Sequence, residues 1–250
     1  MSVTKGEVPM ESTKMPQPPK SDYSKHIFSE ETWKLLNEIM FEHKIKKGSY
    51  LFAENEISNR LFYVSKGQLK MTKMTDDGKE IMIHLFREGD LLGEFGSLDE
   101  GKHCFSAVAK EDCIIDVIYL EDLDFILSNN GKAAMEFVRW MARKNQITNL
   151  KLRDLLLYGK KGALCSTLIR LSNSFGEVEG NGITIKINLT NQEFSDMIGT
   201  SRETVNRMLA ALKKEKVIDH DENGLLRILN LQYLRDECHC ELCPLEVCRI

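Results

Sequence analysis

From about Ser24 to Asp122 the chain runs in short stretches of period two. Ile81, Ile83 and Leu85 alternate with Met82 and His84, and Gln68, Lys70 and Thr72 alternate with Leu69 and Met71. Turn-forming groups recur at Lys66-Gly67, Asp76-Asp77-Gly78, Glu88-Gly89-Asp90 and Asp99-Glu100-Gly101. Alternation between evenly spaced turns predicts an antiparallel β-roll or barrel. The period then changes. Between Gly131 and Gly159 there is neither glycine nor proline, and Ala134, Val138, Met141, Asn145, Thr148, Leu152 and Leu155 follow a four-three spacing. That is a heptad seam along one long helix. A helix packed only on its own roll is the plainer alternative. The length favours a dimer helix, with Val138, Met141, Asn145, Leu152 and Leu155 on its contact face and Asn145 as a polar register-setting residue.

A second unit begins after Gly159 and Gly162. Ala163 to Phe175 reads as a helix with Leu164, Leu168 and Leu171 on one face. Asn181-Gly182 is a hairpin signal, and Ile183, Ile185, Ile187 and Leu189 alternate with polar residues as in a strand. Thr190, with Glu193 three residues on, makes a capping box for a short helix, and Gly199 suits its left-handed C-cap. Ser201 caps a second helix, and a hairpin turning at Asn223-Gly224 follows. Helix, glycine turn, helix and hairpin predict a winged helix-turn-helix. In that motif the second helix enters the major groove. Thr190, Gln192, Ser201, Arg202, Glu203, Asn206 and Arg207 are therefore the candidate DNA-binding residues. Arg202 and Arg207 each offer a fork to guanine, and Glu203 an acceptor for the cytosine amino group. Lys213, Lys214 and Lys216 extend positive charge toward phosphates. Val205, Met208, Leu209 and Leu212 form the core-facing stripe.

The expected class is α+β, divided into a disordered arm (1–22), an antiparallel β-roll (23–130), a dimerisation helix (131–158), a winged helix-turn-helix domain (159–230) and a cysteine-rich tail (231–250). The arm is polar and holds four of the chain's five prolines. No apolar run has the length of a membrane span, and no signal-peptide pattern opens the chain, so a soluble cytoplasmic protein is expected. The net charge of −4 over 250 residues would by itself suggest nothing about nucleic acid. No arrangement of paired acids, nucleophile and base, or glycine-rich phosphate loop suggests an enzyme.

Cysteine changes the picture. Cys238, Cys240, Cys243 and Cys248 crowd into the last thirteen residues, whereas Cys104, Cys113 and Cys165 are scattered and read as core residues. Soft thiolates at this spacing suit an iron–sulfur cluster, a zinc ion or a thiol switch. Spacing alone leaves these three open, and by itself makes Cys238 the fourth ligand. His239 reads as a bystander.

The order of parts resembles the CRP/FNR regulator family, over nearly everything after the arm. Gly89-Asp90-Leu-Leu-Gly93-Glu94-Phe-Gly96 resembles its roll signature, and Ile198-Gly199-Thr-Ser201-Arg202-Glu203-Thr204-Val205-Asn206-Arg207 its recognition helix. The segment Arg153-Asp154-Leu-Leu-Leu-Tyr-Gly159 and the tail Cys240-Glu-Leu-Cys243-Pro-Leu-Glu-Val-Cys248 resemble the Bacillus-type Fnr branch. The resemblance implies a [4Fe-4S] cluster on Cys240, Cys243 and Cys248, completed by Asp154. It implies an oxygen-responsive, anaerobic homodimeric regulator that reads palindromic DNA with TGTGA-like half-sites and engages RNA polymerase. Cyclic-nucleotide-binding relatives carry an arginine–serine pair where this chain reads His103-Cys104-Phe105-Ser106-Ala107, so no cyclic nucleotide is expected. The competing expectation is a small-effector-binding or thiol-redox regulator of the same family with structural zinc in the tail.

Overall fold

The structure is a computed structural model, and it describes residues 28–94 and 101–250. The expected arm, Phe95 and Gly96 of the roll signature, and Asp99-Glu100 of one expected turn lie outside the described residues.

In chain order the elements are α1 (Glu30–Glu38), β1 (Met40–Ile45), β2 (Tyr50–Phe52), β3 (Arg60–Lys66), β4 (Gln68–Met74), β5 (Glu80–Arg87), β6 (Leu91–Leu92), β7 (Ser106–Ala109), β8 (Cys113–Tyr119), α2 (Leu120–Asn129) and α3 (Gly131–Phe175). Then come β9 (Gly176–Glu179), β10 (Gly182–Ile185), α4 (Asn191–Ile198), α5 (Arg202–Lys214), β11 (Ile218–His220), β12 (Leu226–Ile228) and α6 (Leu231–Glu237). Two antiparallel sheets, ordered β1-β8-β3-β6 and β2-β7-β4-β5, build the roll. Its interior is closed by Phe52, Phe62, Val64, Leu69, Phe86 and Ile115 among others. A third antiparallel sheet, β11-β12-β10-β9, belongs to the second unit.

Three local expectations need correction. Residues 24–122 were expected to be strands and turns only, yet α1 lies among them. Ser29 caps it by accepting from Thr32 N–H, and Leu36 drives it into a core shared with Leu61, Ile118, Phe137 and Trp140. In β5 the alternation fails at Ile83. Met71 pairs with His84 but Thr72 pairs with Met82, so the register slips there. A bulge of this kind turns successive side chains to the other face. Met82 and Leu85 are consequently buried, and Ile83 is exposed. The first hairpin of the second unit turns through Gly180-Asn181 rather than Asn181-Gly182, because Glu179 pairs with Gly182 and Gly180 takes φ 57°. The following strand also stops at Ile185.

The helix α3 carries the two units. Phe137 and Trp140 pack it on the roll core, and Ala133 and Ile147 are also buried. At Gly159 its backbone breaks, with φ 60° and ψ −164°, a conformation open essentially to glycine alone. Beyond it, Ala163, Leu164, Leu168 and Leu171 pack with Ile183, Phe194, Val205 and Leu234 into the second core. Met82 and Leu85 of β5 join that same core, so the second unit is docked on the roll. Among the described residues no helix is long and apolar enough to cross a membrane.

Candidate nucleic-acid interface and cysteine segment

Capping chemistry sets the two helices of the candidate interface. The Thr190 hydroxyl accepts from Glu193 N–H at 3.1 Å, and the Glu193 carboxylate accepts from Thr190 N–H at 2.8 Å. Gly199 ends α4 at φ 63°, ψ 42°, the left-handed geometry expected of a glycine C-cap. The Ser201 hydroxyl then accepts from Thr204 N–H and starts α5. Val205, Leu209 and Leu212 are buried, which turns Arg202, Glu203, Asn206 and Arg207 to solvent along one exposed face. Gln192 is exposed at the start of α4, where its amide donates to Asp196, and Asn191 donates to Asn206 across the two helices. Thr190 is committed to its cap. Of the three lysines beyond, Lys213 pairs with Asp219 at 2.9 Å. The β11–β12 hairpin turns at Asp221–Gly224, where Asp221 Oδ1 accepts from the N–H groups of Asn223 and Leu225.

The contact-face residues of the α3 seam are exposed along the helix. Val138 is 57% exposed and Leu152 53%, with Met141, Asn145 and Leu155 also exposed. Among the described residues Val138 and Met141 join no hydrophobic core, whereas Leu152 and Leu155 line a cavity shared with β5.

The cysteine segment is folded back onto the second unit. Its first residues are not a tail but the helix α6, whose Leu234 is fully buried against α3. His239, with φ 46°, stacks on Tyr158 at 5.1 Å. Cys238 is buried; Cys240, Cys243 and Cys248 are partly exposed. Burial pushes the Cys238 thiol up to about 12, and nearby Cys240 and Asp154 add to the shift. Burial also raises Cys248, against the pull of Arg170, with Cys240 and Cys243 adding to the rise. Of the scattered cysteines, Cys113 and Cys165 are buried as expected, but Cys104 is exposed.

Asp154 is almost fully buried and multiply held. It accepts from Ser166, from Arg170 at 2.7 Å and from Arg153 at 2.8 Å. Burial pushes its carboxyl up, but the hydrogen bonds from Ser166, Arg170 and Arg153 outweigh this and hold it below the ordinary value. Arg153 also reaches Glu241 at 2.6 Å, linking Asp154 to the cysteine segment. Among the described residues, however, no three His, Cys, Asp or Glu side chains are gathered closely enough to hold a metal ion. The donor types fit a cluster, since three soft thiols and a carboxylate lie in one electrostatic neighbourhood with Arg153 and Arg170. As a ligand, Asp154 must first release one of its present partners. Sequence reasoning missed Arg170, whose position between Ile169 and Leu171 on a buried helix was the available sign that an acid had to meet it.

The described Glu94 carboxylate accepts from Cys104 N–H at 2.9 Å. It lines a cavity of about 450 Å³ between the roll, α3 and the second unit, beside Lys144, Lys151, Arg170 and Met197.

Comparison with known proteins gives a consistent picture. The family described as cyclic nucleotide-binding domain matches residues 42–130, and that described as Crp-like helix-turn-helix domain matches residues 162–237. The chain is 40% identical over 225 residues to the anaerobic regulatory protein of Bacillus subtilis, spanning 90% of this chain and 94% of that one. It is 30% identical over 178 residues to the cAMP-activated global transcriptional regulator CRP of Salmonella typhimurium, spanning 70% and 84% of the two chains. In fold it is similar to a CooA mutant from Carboxydothermus hydrogenoformans, with a TM-score of 0.71 and 20% identity over 89% and 98% of the two chains.

Proposed function

The chain belongs to the CRP/FNR family of DNA-binding transcription regulators, and we propose that it is an anaerobic, oxygen-responsive regulator acting as a homodimer under control of a [4Fe-4S] cluster. The observation that carries this reading is the return of the cysteine segment to the α3 break, where Arg153 bridges Asp154 and Glu241. Cys240, Cys243, Cys248 and Asp154 are the proposed ligands. When bound, such a cluster supplies an oxygen-labile centre whose stability depends on its thiolate ligands. The chain's own residues do the rest. Arg153 and Arg170 orient Asp154 and hold it in its charged form, while α6 holds Cys238 in the core beside them. The ligands span Gly159, so holding them together restricts the angle between the dimer helix and the DNA-binding unit.

On the DNA side, Arg202, Glu203 and Arg207 are the proposed readers of a TGTGA-like half-site, with Ser201 and Asn206 on the same helix and Thr190 and Gln192 at the start of α4 also in the proposed DNA-binding set. Two such helices in a dimer suit half-sites about one helical turn apart. Replacing Arg202 by alanine removes a bidentate contact worth about 1–3 kcal/mol of discrimination. We expect relaxed choice at one base pair per half-site, read by competition binding against half-site variants. RNA polymerase is the proposed partner of the DNA-bound form. Control by a cyclic nucleotide is disfavoured: Glu94 is engaged by the Cys104 backbone, and no arginine follows in 103–107.

The testing experiment is an anaerobic visible spectrum with iron and sulfide analysis, on the parent and on Cys243→Ala. The expected parent is brown, carries about four irons per chain and bleaches in air, while the variant is colourless but folded. A colourless parent that holds zinc after anaerobic reconstitution replaces this reading with the structural-zinc alternative.

A further inference from the structure

The chain ends in a contact that neither the DNA interface nor the cysteine ligands require. Asp90, just before β6, is fixed from the roll side because its Oδ2 accepts from Arg87 N–H at 2.9 Å. Its other oxygen accepts from Arg249 at 3.1 Å, across 159 residues of sequence. Asp90 is only 7% exposed and Arg249 5%. Two charges this far from water are tolerated when paired, and separating them gives up that pairing at a buried place.

The residues around Arg249 are pinned on the opposite side. Asn173 donates to the Cys248 carbonyl at 2.8 Å, Arg170 to the Val247 carbonyl at 3.4 Å, and Ile250 N–H to the Ser174 hydroxyl at 3.1 Å. Residues 247–250 thus form a wedge between the second half of α3 and the roll. Other contacts cross the same junction: Arg87 donates to the Ser174 carbonyl, and Lys110 of the roll pairs with Glu193 of the α4 capping box. The covalent connection between dimer helix and DNA-binding unit passes through the break at Gly159. These side-chain contacts, rather than the chain path alone, therefore fix how the unit sits on the roll.

We propose that the Arg249–Asp90 pair is a latch that positions the DNA-binding unit against the roll and ties the neighbouring Cys248 to that docking. Arg249 and Asp90 are positioning residues. They touch neither DNA nor the proposed ligand set, and Cys248 is one peptide bond from the latch. A displacement of Cys248 therefore reaches the roll directly. The regulatory meaning of the latch rests on the reading of the cysteine segment given above; the latch itself does not.

Hydrogen exchange on the full-length protein tests it. Arg249→Ala should speed exchange of the β5 and α4 amides by about tenfold or more, as for a local opening, while β1, β3 and β8 stay protected. The charge swap of Arg249→Asp with Asp90→Arg should restore protection, and so should Arg249→Lys in part. Should the swap not fold, Asp90→Asn, which keeps the shape and an oxygen for the Arg87 cap, is expected to behave as Arg249→Ala does. The tie to the cysteine segment is read in a chain whose other cysteines are serine: Arg249→Ala should make Cys248 alkylate about tenfold faster or more. Unchanged exchange at β5 and α4, or a loss confined to global stability, overturns the latch, and unchanged Cys248 labelling overturns the tie. Neither measurement needs bound metal, so a colourless parent and a silent latch are separate failures.

Discussion

At the residue scale, charge has been taken out of water where α3 meets the roll. Lys151 lies at the junction with its ammonium 3.2 Å from His84 Nδ1. Burial, reinforced by Arg170 and Lys144, lowers Lys151 to about 7, and burial keeps His84 well below its ordinary value, so the imidazole is neutral and accepts from the lysine. The folded Lys151 therefore binds fewer protons than the unfolded one between about pH 7 and its ordinary value of 10.5. Its contribution to stability consequently rises with pH across that window and is flat below it. Lys151→Met should be more stable than the parent at pH 7, and the difference should shrink toward pH 10. Urea midpoints of both proteins across that range check this; a constant difference contradicts a depressed lysine. Nothing in the spacing of Lys151 or His84 announces this pairing, because they come from distant elements, α3 and β5. The exposed Cys104 was misplaced for a related reason: cysteine is buried more often than not, and only the β7 approach shows that this one is outside.

At the element scale, local chemistry was strongly legible. The Thr190–Glu193 box, the Gly199 cap and the Ser201 cap each involve residues within four positions, and all three form as their spacing predicts. The bulge in β5 was not legible, since register depends on the partner strand β4. Nor was α1, a nine-residue helix too short to stand without the core it enters. Gly159 is the most sensitive single position. Alanine there meets no neighbour within 4 Å, so the only cost is backbone strain, about 1–3 kcal/mol. Gly159→Ala should favour a straightened α3 and a reoriented DNA-binding unit. Lowered operator affinity, with circular dichroism unchanged, is the expected result; wild-type affinity would show that the break is not needed for DNA binding.

At the scale of the whole molecule, the exposed stripe of α3 and the docked second unit are two faces of one design. The roll takes Phe137 and Trp140, while Val138 and Met141 of the seam stay exposed, and the proposed dimer would cover them. Val138→Glu places a charge in the middle of that seam. The expected outcome is a monomer by sedimentation equilibrium, with operator affinity reduced by about tenfold or more because the two half-sites are no longer read together. A dimeric variant with normal affinity would move the interface elsewhere.

The pattern along the chain was sufficient for the roll, the long helix and the capped helix pair, and for their order. It also singled out the candidate recognition residues and the cysteine segment. These features depend on period, caps and composition, which act over a few residues. Tertiary structure decided the rest: the shared core of Met82 and Leu85 with the DNA-binding unit, the Asp154–Arg170 pair, and the wedge of Arg249 against Asp90. Each joins residues from separate elements. A buried charge or bulged strand finds its partner only after the units have packed, when an unpaired alternative becomes too costly to keep.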